Sequence, residues 1–142
     1  MYAENRVEDL LHELIQAHEF VEFLVGRDGE FDQIVSSAVK RLQADWGDSS
    51  CALTLVLPYM RAEYSNNMDS FEEYYDSIEV CEESATAHPK GAIQIRNKKM
   101  VDRSDLVVCY IDHESGGAYK TIQYAEKLEK KIIKVAEALK KC

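Results

Sequence analysis

The stretch Leu106-Val-Val-Cys-Tyr-Ile111, followed shortly by Glu114-Ser-Gly-Gly-Ala-Tyr-Lys120, decides how this chain folds. Its first half is a continuous apolar run, which predicts a buried strand. Its second half carries Gly116 and Gly117 just before a helical pattern. A glycine pair lets the backbone approach an anion closely, and the N–H groups of a first helical turn point towards it. The stretch therefore predicts a strand, a tight loop and a helix start arranged as a phosphate site.

The rest of the chain alternates between strand and helix patterns. Apolar residues recur at helical spacing in some segments, and short β-rich apolar runs closed by Gly or Pro lie between them. This alternation predicts parallel βαβ units and a three-layer α/β sandwich with a mostly parallel sheet. We expect helices over residues 4–17, 31–42, 70–75, 92–103 and 117–129, strands over 21–25, 51–57, 77–80, 106–111 and 132–135, a loop over 81–89 and a helical tail to residue 142. The helix over 70–75 is expected to begin with a capping box of Ser70 and Glu73.

Length and composition indicate one globular domain over residues 1–142. Hydrophobic residues make up 46% of the chain and charged residues 30%, which suits a folded protein with a sizeable core. No apolar stretch reaches the length of a membrane span, and the first residues lack the layout of a secretion signal. We expect a cytoplasmic protein that makes no membrane contact.

The net charge of −9 is unevenly distributed. Residues 62–87 contain eight acidic and no basic residues, whereas residues 90–103 contain five basic residues and one acidic residue. The overall charge disfavours general binding of nucleic acid, while the basic segment offers local positive charge to a small anion. The acidic segment is either a solvated surface or a docking face for a basic partner.

The cysteines and histidines give no sign of a metal site. The four cysteines are far apart in sequence and form no CxxC pair, so neither zinc nor a disulfide framework is expected. Cys51 and Cys109 lie in apolar runs and are expected to be small core residues. We expect no metal and no cofactor.

Glycine loops follow two of the predicted strands. Gly26 and Gly29 follow the first strand, and Gly116 and Gly117 follow the fourth, while Pro58 closes the second. Parallel α/β sheets bind ligands beyond the carboxyl ends of their strands. If the sheet is parallel, these loops line a common edge.

Four stretches together resemble a known family. They are Phe23-Leu-Val-Gly-Arg-Asp-Gly-Glu-Phe-Asp32, Leu55-Val-Leu-Pro-Tyr59, Ile95-Arg-Asn-Lys-Lys-Met-Val-Asp-Arg-Ser-Asp105 and Glu114-Ser-Gly-Gly-Ala-Tyr119. The chain resembles the YpsA-like branch of the SLOG superfamily, which also includes the DprA/Smf DNA-processing proteins and the LOG phosphoribohydrolases. The likeness runs from about Leu10 to Val135.

The resemblance implies a Rossmann-like sheet of about four to five strands that binds a nucleotide or nucleotide-derived ligand at the glycine loops. The implied ligand-binding residues are Gly26, Glu30 and Asp32 on one side of the pocket, Ser115, Gly116 and Gly117 on the other, and Arg96 facing it from the preceding helix.

Two departures from the family pattern qualify this expectation. Members of the branch usually begin with a further strand ending in Gly-His-Arg, whereas this chain opens in the helix that follows that strand. The LOG enzymes place a glutamate where aligning the glycines puts Gln123, although Arg96 matches their upstream arginine. Since Gln cannot ionise, it cannot act as the carboxylate in glycosidic cleavage. We therefore expect a binding module without hydrolysis.

Simpler structural roles remain open for several of these residues. Gly116 and Gly117 fit a tight strand-to-helix turn as well as ligand contact. Glu30 fits a purely structural role at a helix start as well as it fits ligand binding, since the helix dipole favours acidic side chains in the first turn. Arg96 and Arg103 are seven residues apart and therefore lie on one face of the predicted helix. An exposed cationic face is the simpler interpretation of this spacing, and we favour a ligand contact for Arg96 only.

The leading hypothesis is a small sensor or adaptor that binds a nucleotide-derived ligand. The alternative is a LOG-like hydrolase of nucleoside phosphates or nucleotide sugars, in which Glu30 or His113 handles the proton. DNA processing fits less well, because basic and aromatic residues are not interleaved. The absent first strand further predicts an open sheet edge covered by self-association, hence a homo-oligomer.

Overall fold

A computed structural model describes residues 2–47, 49–110 and 116–135. Helices and strands alternate along the chain. In order they are α1 (Tyr2–Ala17), β1 (Val21–Val25), α2 (Glu30–Trp46), β2 (Cys51–Leu57), α3 (Ala62–Ser65), α4 (Met68–Tyr74), β3 (Ser77–Val80), α5 (Glu82–Ala85), α6 (Pro89–Arg103), β4 (Leu106–Cys109), α7 (Gly116–Lys127) and β5 (Lys131–Lys134).

The strands predicted over 21–25, 51–57 and 77–80 are confirmed, and the four longest predicted helices are confirmed to within a few residues at each end. β4 ends at Cys109, so Tyr110 does not continue the strand as predicted. The predicted loop over 81–89 contains the one-turn helix α5, and α3 was not predicted at all. The capping box is wrong, because α4 begins after Asn67 rather than at Ser70. α6 begins at Pro89, and the side chain of His88 accepts a hydrogen bond from Lys90 N at 3.2 Å. The helices that the sequence did not predict, α3 and α5, have four residues each and bury too few apolar side chains to produce a periodic pattern.

The strands form two small parallel sheets. β1, β2 and β3 make one sheet in that order, and β4 and β5 make the other. Val25 pairs with Leu55, and Val56 and Leu57 continue beyond β1 to pair with β3. Parallel pairing agrees with the alternation of strands and helices, whereas the division into two sheets was not predicted. The predicted strand end at Ile111 and the helical tail over 136–142 lie outside the described residues.

The core lies between α1, α2 and the first sheet. α1 contributes Val7 and Leu11, and β2 is buried along almost its whole length. Val108 of β4 and Val135 after β5 pack into the same cluster, so both sheets share one core. Cys51 and Cys109 are buried, as expected. None of the helices in the described residues is long and apolar enough to cross a membrane.

Candidate functional site

Gly26 follows β1 directly, and the guanidinium of Arg96 lies flat against it. A methyl group added at Gly26 would lie 2.9 Å from Arg96 Nη1 and 3.1 Å from its Cζ, so only glycine leaves room for this contact. Arg96 is 2% exposed, and its Nη1 donates to Val56 O at 2.7 Å. Two residues that the sequence assigned to one pocket are therefore in contact, with Arg96 beneath the loop rather than on an exposed face.

Asp28 links the β1–α2 loop to two arginines. Its carboxylate contacts Arg96 Nη2 at 2.6 Å through one oxygen and Arg61 Nη2 at 2.5 Å through the other. Partial burial alone would raise the pKa of Asp28, but the hydrogen bonds and charges of Arg96 and Arg61 outweigh it and lower the pKa below its ordinary value. The carboxylate is thus held ionised between two cations.

Asp32 holds the same loop from the first turn of α2. Its two carboxylate oxygens accept the backbone N–H of Gly26 at 3.3 Å and that of Asp28 at 3.1 Å. A side chain that reaches back from a first helical turn satisfies donors that would otherwise lack partners. The loop amides that could meet an external anion here already meet the chain's own carboxylate.

A pocket of about 290 Å³ opens beside this loop, between α2 and the end of α4. Hydroxyl groups and two tyrosine rings stacked edge to face at 4.9 Å line it, together with the Asp32 carboxylate. The full lining is Gly26, Arg27, Asp32, Gln33, Ser36, Ser37, Tyr74 and Tyr75.

Arg27 and Tyr75 form a fixed pair in the wall of this pocket. Arg27 Nη1 donates to the Tyr75 hydroxyl at 3.0 Å, and Arg27 is also paired with Glu63 at 2.6 Å. Burial is the largest influence on Tyr75 and raises the pKa of its hydroxyl. The hydroxyl therefore keeps its proton and can donate it to a ligand atom.

The second glycine pair, Gly116 and Gly117, opens α7. Gly116 has φ of 90°, a left-handed conformation that favours glycine, and Gly117 lies near Gln94 of α6. Both glycines are exposed at the start of α7, and the predicted contact Ser115 lies outside the described residues. These two glycines thus form the exposed first residues of α7.

One aromatic contact connects the two loop regions. Phe31, in the first turn of α2, lies 6.2 Å from Tyr110, which directly follows β4. The start of α2 and the carboxyl end of β4 are therefore neighbours. Glu30, the residue before Phe31, is exposed, and Gln123 on α7 is exposed as well. The candidate base His113 lies outside the described residues.

Sequence reasoning missed Asp28, Arg61 and the tyrosines of the pocket. Asp28 stands between the two glycines of its loop, but an aspartate in such a loop is ordinarily a turn residue. Arg61 and Tyr75 are far away in sequence and carry no motif. A pairing signal between distant positions is the only sequence feature that could have found them.

Arg103 differs from Arg96, although both lie on α6. Arg103 is exposed and paired with Glu79 at 2.6 Å, the ordinary role of a surface arginine.

In the described ranges, no group of three or more His, Cys, Asp or Glu residues could hold a metal ion. The chain matches no protein-family model, and no curated protein is significantly similar to it in sequence.

Proposed function

We propose that this protein is a small cytoplasmic module that binds a nucleotide or a nucleotide-derived ligand at the carboxyl end of β1. The observation that carries the proposal is the pocket of about 290 Å³ that joins Gly26 and Asp32 to hydroxyl groups and tyrosine rings. Ligand sites of this size combine apolar or aromatic walls with a few fixed polar groups.

The lining suggests how a nucleoside is held. Tyr74 offers a ring face for a base, and Asp32, which already accepts two amide hydrogens, has lone pairs left for ribose hydroxyls. Tyr75 donates its hydroxyl hydrogen. The phosphate extends past Gly26 towards Arg96. Glu30 at the start of α2 and Gly116 and Gly117 at the start of α7 are further candidate contacts.

A Rossmann-like order of the two parallel sheets is part of this proposal. α2 packs on β1 and β2, and α7 packs on β4 and β5. If every crossover is right-handed and α6 and α7 cover the opposite face from α2, β4 follows on the far side of β1. In that order the two sheets lie side by side, and the strand order reverses between β1 and β4, next to Gly26, which is where doubly wound sheets bind ligands. The contact between Phe31 and Tyr110 fits this arrangement.

The module acts as a sensor or adaptor without hydrolysis, because Gln123 offers no carboxylate. Titration calorimetry with AMP, NAD and ADP-ribose tests the binding, and chromatography of the same mixtures tests for turnover. We expect at least one of these compounds to bind unchanged. Release of a base or of ribose phosphate would instead favour a LOG-like hydrolase.

A substitution inside the pocket tests the location. Ser37 lines the pocket from the exposed side of α2, so Ser37→Leu fills it without entering the core. We expect at least about tenfold weaker binding, which corresponds to about 1.4 kcal/mol. Ala44→Leu, two turns further along the same helix and also exposed, is the matched control. Equal binding by both variants would contradict this location.

A further inference from the structure

We propose that Arg61 and Arg96 form a binding site for a phosphate or pyrophosphate group, and that the Asp28 carboxylate holds this site in the present structure. The inference builds on the proposed function, since it locates the anionic part of the ligand. It adds Arg61 and the competing Asp28 carboxylate to the sequence expectation, in which Gly116 and Gly117 with Ser115 hold the phosphate and Arg96 offsets its charge.

The geometry is that of an anion site with an internal occupant. Two guanidinium groups from distant parts of the chain converge on one carboxylate, at 2.5 and 2.6 Å, each through a separate oxygen. Arginine is well suited to oxyanions because its planar fork of donors matches their geometry. Phosphate oxygens present the same acceptors with more charge.

The two arginines are fixed independently of Asp28. Arg96 is held by Val56 O at 2.7 Å and by Asn97 Oδ1 at 2.9 Å, and it packs against Gly26. Arg61 lies over the ring of Tyr59 at 5.4 Å. Removal of the carboxylate therefore leaves both guanidinium groups close to their present positions, which makes the site preorganised.

Asp28 can leave the site by rotation of its side chain. Its backbone N–H is held by Asp32, so the loop stays in place while the carboxylate moves. The side chain of Asp28 is 25% exposed, and the next residue, Gly29, has open space on its side-chain face. The exchange therefore requires no movement of α2.

Local charge favours an anion of higher charge than a carboxylate. Arg61 and Arg96 carry +2 against −1 from Asp28, which leaves the triad at +1 on a chain of net charge −9. The neighbouring Arg27 is balanced by Glu63. A phosphate group neutralises the two arginines more fully than one carboxylate does.

The proposal is tested by titration of inorganic phosphate and of pyrophosphate into three proteins: wild type, Asp28→Asn and Asp28→Ala. Added chloride holds the ionic strength constant. We expect both variants to bind at least about tenfold more tightly than wild type, because the competing occupant is gone. Phosphate should also raise the unfolding temperature of the variants more than that of wild type. Asp28→Asn keeps an oxygen for Arg96 and so preserves the fold if Asp28→Ala does not.

Two further variants make the result specific. Arg61→Gln added to Asp28→Asn should remove the gain in affinity. Glu79→Gln, which releases the exposed Arg103 from its ion pair, should leave phosphate affinity at the wild-type level. Equal affinity in wild type and the Asp28 variants, or a gain that survives Arg61→Gln, would overturn the proposal.

The outcome is separable from that of the proposed function. Nucleosides that lack phosphate should bind wild-type protein in the pocket, and Ser37→Leu should weaken that binding. Both results are independent of whether Arg61 binds phosphate. Nucleoside binding without any phosphate gain in the Asp28 variants would overturn this inference alone. A phosphate gain without nucleoside binding would support the arginine site and contradict the nucleotide pocket.

Discussion

At the scale of single residues, the site depends on the close packing of Gly26 against Arg96. A buried guanidinium is costly unless each of its groups finds a partner, and Arg96 meets this need with Val56 O, Asn97 and Asp28. The missing side chain at Gly26 provides the space. The glycine is required by this contact rather than by backbone strain.

Gly26→Ala should therefore destabilise the protein by about 1–3 kcal/mol, because the new methyl group displaces a guanidinium that cannot move freely. Chemical denaturation measures the loss. Gly29→Ala is the matched control, since a methyl group there meets nothing within 4 Å. Similar losses in both variants would indicate a general effect of glycine replacement.

The ion pairs of Asp28 predict a pH dependence. Its pKa is lowered in the folded state, so it contributes stability above its unfolded pKa of about 3.9, and this contribution is lost as pH falls through the folded value. The difference in unfolding free energy between wild type and Asp28→Asn should have its largest value at neutral pH and should decrease below about pH 4. Denaturant titrations at a series of pH values measure it. A difference that stays constant down to pH 2.5, roughly, would contradict the assignment.

At the scale of elements, Asp76 joins α2 to the first sheet. Its Oδ2 accepts from Leu53 N and from Gln43 Nε2, both at 2.7 Å, and Gln43 also donates to Cys51 O at 3.1 Å. Asp76 precedes β3, and Gln43 is buried near the end of α2. One carboxylate thus sets the position of a helix and two strands relative to each other.

Asp76→Ala should lower the unfolding free energy by about 1–3 kcal/mol, because the buried amide of Gln43 and the N–H of Leu53 lose their shared acceptor. Thermal and chemical unfolding both report this change. Asp45→Ala, at an exposed position of α2, should change stability by less than about 0.5 kcal/mol. Equal effects would show that Asp76 has no special structural role.

At the scale of the whole molecule, the sheets leave strand edges open. In the described residues β1 pairs with β2 alone and β4 with β5 alone. Phe20, directly before β1, is 54% exposed, and Trp46 at the end of α2 is 55% exposed. Open edges and exposed apolar side chains favour association with another chain. We propose that the protein forms homo-oligomers through this region.

Light scattering coupled to size exclusion, at several concentrations, should report a mass above that of one chain. Phe20→Asp should shift the equilibrium towards monomer, whereas Leu128→Asp, at a residue 42% exposed directly after α7, should not. A monomer at every concentration would contradict self-association.

The acidic segment over residues 62–87 is partly engaged within the molecule. Glu63 pairs with Arg27, Glu79 with Arg103 and Glu83 with Lys99, and Asp76 binds the sheet. Four of its eight acidic residues therefore have partners in this chain. Three of the eight charges are thus neutralised by cations within the molecule, which weakens the case for a docking face.

The sequence by itself determined the order of the strands and of the longer helices, the bounds of β1, β2 and β3, and the parallel pairing. It could do so because apolar spacing is a local property that reports which side of each element is buried. The family resemblance, rather than apolar spacing, implied that Gly26, Asp32 and Arg96 share one region.

Only the tertiary structure decided what those residues contact. Asp28 lies 33 residues from Arg61 and 68 from Arg96, and nothing in the local pattern of either arginine indicates that they meet. The division into two sheets and the tyrosine wall of the pocket likewise depend on the path of the chain. Contacts between distant residues follow from how the elements pack together, and local periodicity carries no record of that packing.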